Sequence, residues 1–282
     1  MEISSELSIS ESRPTTLISP GAPKPYSTCK ETKIMKRKTS KTLTFISLLL
    51  FPVTFNFFSP YVSLDGAFKG FITGSLLVFA LMTLTGLVFR RAWCSYLCPW
   101  AAPSLYIGTI NDRRVNRKVL RRIRYTVFTI WFIILIVAFI LAGGVKRVDP
   151  LYLTETGISV DMPIKYITYY MVVALLFLLT ILIGRRGACQ SICWMSPFLV
   201  FGSWVGEKLR IPQFMVRSQP ERCISCRKCT STCPMSIEVM EELKNGRIDS
   251  HDCILCGRCV DACPQKVLSI ALGVKPIKPG KA

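Results

Sequence analysis

Four long stretches without a charged residue constrain the fold of this chain more than any other feature of its sequence. They cover residues 42–64, 70–89, 125–145 and 166–184. Each comes close to the roughly 20 apolar residues with which a helix crosses the hydrocarbon core of a bilayer. The sequence therefore predicts a membrane all-α region, residues 42–210, whose four transmembrane helices form two repeated hairpins. Pro52 is expected to kink the first of these helices.

The distribution of charge predicts how this region is oriented. The chain has a formal net charge of +19, and its basic residues concentrate in residues 1–41, in the loop 90–124 and after Gly184. The segments 65–69 and 146–165 are close to balanced. Because basic loops stay on the cytoplasmic side, we expect a multi-pass protein of the plasma or inner membrane with both termini in the cytoplasm. Topology accounts for the basic residues, so no nucleic-acid partner is expected.

Composition predicts three segments outside the membrane region and the C-terminal domain. Residues 1–41 are rich in Ser and Pro and are predicted to form a disordered, basic cytoplasmic tail. Residues 211–220 are predicted to be a linker, and residues 271–282 a loose basic tail. Cys29 lies in the first tail, and no role is assigned to it.

Eight cysteines form two identical runs near the C-terminus. Residues 223–234 and 253–264 both read C-x2-C-x2-C-x3-C-P. This run is typical of bacterial ferredoxins with two [4Fe–4S] clusters, in which the fourth cysteine of each run binds the other cluster. Residues 221–270 are therefore predicted to be a small α+β two-cluster ferredoxin domain. Zinc is the alternative, but zinc sites use four ligands in two pairs and fit these runs poorly.

The crossed pattern predicts two sets of four ligands. The first cluster is assigned to Cys223, Cys226, Cys229 and Cys263. The second cluster is assigned to Cys253, Cys256, Cys259 and Cys233.

A second cysteine pattern repeats at the predicted membrane edge. Arg90–Cys98 reads RRAWCSYLC and Arg185–Cys193 reads RRGACQSIC, so each copy ends one hairpin on the same side. Three interpretations of the four cysteines stay open. They could be small apolar side chains at helix ends, redox-active thiols whose thiolate is favoured by the adjacent arginines, or a shared site for a metal or further cluster. The candidate residues are Cys94, Cys98, Cys189 and Cys193.

Two absences from the apolar stretches exclude or disfavour other classes of membrane protein. The chain has a single histidine, His251, and it lies outside all four stretches. A bis-histidine haem in the membrane needs histidine ligands there, so this chain cannot form a cytochrome b site alone. The stretches also contain no Asp, Glu, Lys, Arg or His, which disfavours an ion or proton transporter.

These motifs resemble a known family over about residues 42–270. Four apolar stretches, paired Arg-Arg-x-x-Cys-x3-Cys motifs and a C-terminal two-cluster run are similar to the NapH-type membrane component of quinol dehydrogenases. Related modules occur in nitrous-oxide reductase accessory proteins and cytochrome-oxidase assembly proteins. The resemblance implies electron exchange between a membrane quinol and redox partners such as ferredoxin-like or cytochrome subunits. The family has proline after each C-x3-C, whereas here Pro99 follows the first copy and Trp194 the second.

The sequence thus predicts a membrane-anchored iron–sulfur protein that passes electrons between the quinone pool and redox partners. Such a chain would be a non-catalytic electron-transfer subunit of a quinol dehydrogenase complex. The alternative is an iron–sulfur accessory factor for assembly or regulation of a respiratory metalloenzyme. Two [4Fe–4S] clusters are the expected cofactors, and a bound quinone and a further metal or cluster at the C-x3-C pairs are additional candidates.

Overall fold

The computed structural model describes residues 37–154, 158–160 and 162–274. Most of the two predicted tails, 1–41 and 271–282, lies outside the described residues. The α-helices are α1 (Arg37–Leu49), α2 (Phe51–Thr54), α3 (Pro60–Lys69), α4 (Gly74–Phe89), α5 (Trp93–Tyr96), α6 (Ala101–Ile110), α7 (Arg117–Leu141), α8 (Pro163–Ile183), α9 (Gly187–Ser191), α10 (Met195–Lys208), α11 (Lys228–Ser231), α12 (Val239–Leu243) and α13 (Arg258–Asp261). The 3₁₀ turns are Phe55–Phe58 and Pro220–Arg222.

Four short strands form two separate pairs. They are β1 (Phe71–Thr73), β2 (Arg147–Asp149), β3 (Gln213–Ser218) and β4 (Leu268–Gly273). Strands β1 and β2 pair in parallel and join the loops after α3 and α7. Strands β3 and β4 pair antiparallel within the C-terminal domain.

Two helices of the described chain, α7 and α8, are long and apolar enough to cross a bilayer. A third span results if α1 is counted together with Phe51–Phe58, although the chain bends by 62° between them. Helix α4 is apolar but shorter. The apolar side chains of α7 and α8 are largely exposed, Ile140 and Leu182 among them, as expected for helices that face lipid.

The first apolar stretch, residues 42–64, differs from the single helix predicted for it. Helix α1 ends at Leu49, and Pro52 lies in the first turn of the next helix. Proline lacks an N–H group and clashes with the preceding turn, so a straight helix cannot continue through it. The kink expected at Pro52 is present as the 62° bend. A second break follows at Ser59, whose side chain caps the helix that begins at Pro60.

The helix before each arginine–cysteine motif packs on the helix that follows the other motif. Helix α4 leads into the first motif and packs on α10, which follows the second. Helix α8 leads into the second motif and packs on α6, which follows the first. Such an exchange is expected of two related repeats that face each other across a common axis.

Glycines bring the backbones of α4 and α10 into direct contact. A Cβ atom on Gly202 would lie 2.1 Å from the carbonyl oxygen of Thr83, and one on Gly206 would lie 2.5 Å from that of Leu87. On the facing helix, a Cβ on Gly86 would lie 3.4 Å from the Cα of Gly202. Small residues spaced four apart permit this close approach between membrane helices.

Replacing Gly202 by alanine is expected to lower the free energy of unfolding by about 1–3 kcal/mol, because the added methyl group would overlap a backbone carbonyl. The matched control is Gly108→Ala in α6, where an added Cβ meets nothing within 4 Å. Thermal unfolding in detergent compares the two variants. An equal Tm for both would show that α4 and α10 are not in backbone contact.

The antiparallel pair β3–β4 belongs to the C-terminal domain. Met215 pairs with Ala271 and Val216 pairs with Ile270, and most of these side chains are buried. The residues 211–220, predicted to be a linker, therefore contribute a strand to the domain. Composition could not reveal this strand, because its partner lies at the opposite end of the domain sequence.

Candidate metal centres

Two cavities of nearly equal size lie inside the C-terminal domain. Counting all space outside the atoms, open solvent included, they measure about 340 and about 330 Å³. The cysteines that line the first are Cys233, Cys253, Cys256 and Cys259. The cysteines that line the second are Cys223, Cys226, Cys229 and Cys263. Each cavity thus collects three cysteines of one run and the fourth of the other, as the spacing predicts for a two-cluster ferredoxin.

The backbone of the two runs curls around the cavities in the same way. Ser225 and Arg227 in the first run have φ angles of 55° and 56°. Leu255 and Gly257, at the matching positions of the second run, have φ angles of 53° and 73°. When residues with left-handed backbone angles alternate along a loop, successive N–H groups point into a shared concave surface called a nest. Nests recur at anion and iron–sulfur sites.

Burial favours the neutral thiol form of several of these cysteines. It raises the pKa of Cys253 to about 12 and also raises the pKa of Cys229, Cys233 and Cys259. Neighbouring cysteines raise the pKa of Cys259 further. A metal cluster needs thiolate ligands, so cluster binding would release protons from these side chains.

The cysteines surround space rather than converge on a point. Within the described residues, no group of three or more His, Cys, Asp or Glu side chains is placed to hold a single metal ion. Zinc would need four ligand atoms at about 2.0–2.3 Å from one centre. The arrangement therefore suits a polynuclear cluster better than the zinc alternative.

A buried aspartate joins this domain to the apolar helices. Asp252, directly before Cys253, accepts hydrogen bonds from Arg91 at 2.9 Å, Arg124 at 2.7 Å and Arg117 at 3.4 Å. Arg91 and Arg124 are only 1% and 2% exposed. Burial by itself would raise the pKa of Asp252, but the charges of the arginines outweigh it and hold that pKa well below its usual range.

The sequence pattern did not indicate this anchor. Arg117 and Arg124 fall in or beside the basic loop 90–124, whose charge the predicted topology already explained. The available signal was the position of Asp252 immediately before Cys253, a predicted cluster ligand, because a carboxylate buried there would need a charged partner. Sequence alone did not indicate which of the loop's arginines would supply it.

Both arginine pairs of the repeat contact the C-terminal domain. Arg90 donates hydrogen bonds to the carbonyl of Asp249 at 3.3 Å and to that of Ser250 at 3.4 Å. Arg185 donates to the carbonyls of Ser231 and, at 3.4 Å, Cys233. Arg90 and Arg185 therefore help to hold the domain against the apolar helices.

The structure brings the two C-x3-C pairs together. Cys98 and Cys189 belong to one apolar cluster, which shares Trp93 with the cluster that contains Cys94. Electrostatic interactions link Cys98 to the other three cysteines and Cys193 to Cys94. Cys94 also packs against the core of the C-terminal domain. The four residues therefore lie between that domain and the apolar helices.

Burial works against free thiolates at three of these four cysteines. It raises the pKa of Cys189 to about 12 and also raises the pKa of Cys98 and Cys193. Arg186 and Arg91 lower the pKa of Cys189 in part, without offsetting the burial. This weakens the hypothesis of arginine-activated thiols, since a reactive cysteine needs a depressed pKa.

Comparison with known proteins gives a family for one part of the chain. A model described as "4Fe-4S dicluster domain" matches residues 215–267. Among curated proteins, "Putative electron transport protein YccM" of Escherichia coli (strain K12) is 25% identical over 64% of this chain and 51% of that protein. "Methylamine utilization ferredoxin-type protein MauN" of Paracoccus denitrificans is 27% identical over 66% of this chain and 64% of that protein. The match thus spans between about half and just under two thirds of these relatives.

No solved structure matches the chain at a significant level. The C-terminal domain is a ferredoxin-type domain for [4Fe–4S] clusters, and it adjoins helices apolar enough to associate with a membrane. The curated relatives are named as electron transport and ferredoxin-type proteins, consistent with a role in iron–sulfur electron transfer. The NapH-type resemblance stays a prediction.

Proposed function

We propose that this chain is a membrane-anchored electron-transfer subunit that passes electrons between the quinone pool and redox partners. The observation that carries the proposal is the direct docking of the two four-cysteine cavities on the apolar helices through Asp252 and its three arginines. Two adjacent clusters in one small domain form a path for electrons, and a catalytic site is not required. A domain that is bound to the membrane region through buried ion pairs suits exchange with a lipid-soluble carrier.

The eight ferredoxin cysteines would hold two [4Fe–4S] clusters in the crossed arrangement. When bound, such clusters supply reversible one-electron transfer, with a potential set by hydrogen bonds to sulfur, burial and nearby charge. The chain contributes the thiolates and the dry surroundings. Ile254 and Leu255 are each 2% exposed beside the cavity that contains Cys253. Arg91, Arg117 and Arg124 place positive charge close to the same cavity. This charge would favour the reduced, more negative state of a cluster bound there.

The membrane region would contain four spans arranged as two hairpins. Helices α7 and α8 supply two of them, and the bent first segment and the shorter α4 would supply the others. The C-terminal domain contacts Arg91, Arg117 and Arg185, which all belong to basic loops. Since basic loops stay in the cytoplasm, the domain and both termini would face the cytoplasm of a cell whose inner membrane holds the spans.

A cleft beside the second arginine–cysteine motif is a candidate place for a quinone headgroup. It opens between α6 and the ferredoxin domain and is lined by Gly108, Arg186, Thr232 and Pro234 among others. Arg186 donates a hydrogen bond to the carbonyl of Cys94 at 3.2 Å. A headgroup in this cleft would thus lie near both the membrane-edge cysteines and the end of the first ferredoxin run.

A single-turnover experiment tests this function. The protein is purified in detergent without oxygen, its clusters are reduced chemically, and a short-chain menaquinone analogue is added while absorbance and EPR are followed. We expect rapid re-oxidation of the clusters, at least tenfold slower in Cys256→Ser because the path is interrupted. Clusters that stay reduced with the quinone but are oxidised by ferricyanide would contradict the proposal and favour the accessory factor.

A further inference from the structure

We propose that Cys94, Cys98, Cys189 and Cys193 hold a third [4Fe–4S] cluster between the apolar helices and the ferredoxin domain. This deepens the proposed function by adding a redox centre at the membrane edge, and its role in electron transfer rests on that function. The existence of this third cluster does not rest on the proposed function, because cluster binding can be measured separately from electron transfer.

The repeat supplies the ligands as two equivalent pairs. The first cysteine of each pair lies in a short helix, Cys94 in α5 and Cys189 in α9, and the second follows that helix. All four have free thiols, and Cys98 is 8% exposed while the other three are partly buried. Two pairs that face each other across a common axis can bind a cubane from opposite sides.

Within the described part of the chain, the buried arginines near the four cysteines outnumber the carboxylates that pair with them. Arg91 and Arg124 share the single carboxylate of Asp252, to which the partly exposed Arg117 also binds. Arg186 is 4% exposed and makes no ion pair within the described residues. Buried charges without a partner are costly, so such a surplus calls for an anion. Four thiolates around a [4Fe–4S] core carry a net negative charge that would meet this need.

The arginines are placed to act on the cysteines themselves. The Nη2 atom of Arg91 lies 3.9 Å from the Sγ atom of Cys94, and the charge of Arg91 also acts on Cys193. Arg186 holds the backbone of Cys94 and acts on Cys189. Each arginine therefore reaches both C-x3-C pairs, as expected if its charge serves a ligand shared by the two.

Among the residues that the structure describes, four buried N–H donors near the cysteines have no hydrogen-bond partner. They are the Nε atoms of Arg91 and Arg186 and the indole Nε1 atoms of Trp93 and Trp100. Trp93 precedes Cys94, and Trp100 packs in the same cluster as Cys98 and Cys189. Buried donors are nearly always satisfied in native proteins. The sulfur atoms of a cluster are acceptors for such groups, and these hydrogen bonds tune its potential.

A single metal ion and a purely packing role explain less. No three of these side chains are placed to hold one ion in the described part of the chain. Packing of small apolar thiols accounts for neither the excess of buried arginine nor the unpartnered donors. Transfer of a [4Fe–4S] core from four exogenous thiolates needs no oxidant or reductant. Four Fe–S bonds to those thiolates break and four to the cysteines form, and the protons that the cysteines lose pass to the displaced thiolates.

The ferredoxin domain lies next to the proposed cluster. Cys94 packs against the apolar core that contains Cys233, Cys253 and Cys259. The hydroxyl of Ser95 donates a hydrogen bond to the carbonyl of Ile254 at 2.6 Å, one residue from Cys253. One electron at a time could then pass from the membrane edge to the cluster at Cys253.

Iron and acid-labile sulfide analysis of the full chain after anaerobic reconstitution tests the proposal. We expect about twelve iron atoms per chain in the unmodified protein and about eight in Cys98→Ser and Cys189→Ser. The control Cys29→Ser should keep about twelve. About eight irons in the unmodified protein, with both ferredoxin EPR signals present, would overturn the third cluster and leave the proposed function standing. If only Cys226→Ser and Cys256→Ser lost iron, while Cys98→Ser and Cys189→Ser kept as much as the unmodified protein, the third cluster would likewise be overturned.

A milder variant separates ligand loss from misfolding. Trp100→Phe keeps the ring in place but removes one unpartnered N–H group. We expect full iron content and a lower midpoint potential for one EPR signal, with the two ferredoxin signals unchanged. Three unchanged signals would show that the indole does not bond to the cluster. A chain that shows only two signals in both forms would again overturn the proposal.

Discussion

Serine at Cys233 is expected to alter the same cluster as serine at Cys256, although the two cysteines belong to different runs. Both line one cavity, whereas Cys226 and Cys263 line the other. A lost thiolate removes one of four ligands, so the affected [4Fe–4S] signal should fall by at least tenfold while the other persists. Power- and temperature-dependent EPR of the reduced variants identifies which signal is lost.

The pairs of variants serve as controls for one another. Cys263→Ser should reproduce Cys226→Ser, and Cys29→Ser should leave both signals intact. If Cys233→Ser instead affected the signal that Cys226→Ser removes, each run would bind its own cluster. The crossed assignment would then be wrong.

Replacing Asp252 by alanine is expected to lower the free energy of unfolding by about 3–5 kcal/mol. The change removes the one carboxylate shared by Arg91, Arg117 and Arg124, and it leaves two nearly fully buried guanidinium groups without their partner. We also expect the ferredoxin domain to loosen from the apolar helices. Thermal unfolding and limited proteolysis in detergent measure the two effects.

Glu238→Ala is the matched control for the Asp252 variant. Glu238 pairs with Arg114 at 2.7 Å across the same interface, but this pair is exposed and should contribute only about 0–1 kcal/mol. Similar losses of stability in the two variants would show that burial of the Asp252 network does not anchor the domain.

The sequence predicted those parts of the molecule that depend on short, repeated spacing. The C-x2-C-x2-C-x3-C-P runs predicted the set of four cysteines that lines each cavity, because the reach between neighbouring thiols depends on local backbone. Likewise, Pro52 predicted a bend, since proline acts on the turn that contains it. The two longest apolar helices were also anticipated, although α7 begins at Arg117, well before the apolar stretch 125–145.

The parts that the sequence did not reveal depend on contacts between distant segments. Strand β3 was assigned to a linker because its partner β4 lies at the far end of the domain. The Asp252 network joins the ferredoxin domain to the apolar helices. Its arginines lie in a basic loop whose charge the predicted membrane topology already explained. Arg185 pairs with Asp112 and reaches carbonyl groups of the ferredoxin domain, and neither contact follows from the local Arg-Arg-x-x-Cys pattern. Composition and local sequence patterns do not predict such pairings between distant segments.

Sustained turnover in liposomes tests the central claim most directly. The full chain is reconstituted into vesicles that contain a reduced menaquinone, a membrane-impermeant acceptor such as ferricyanide is added outside, and acceptor reduction is followed without oxygen. We predict many turnovers per chain above the rate in protein-free vesicles, and a loss of at least tenfold in Cys256→Ser. Acceptor reduction no faster than in protein-free vesicles, by protein whose clusters are intact by EPR, would contradict electron transfer between the quinone pool and the ferredoxin domain.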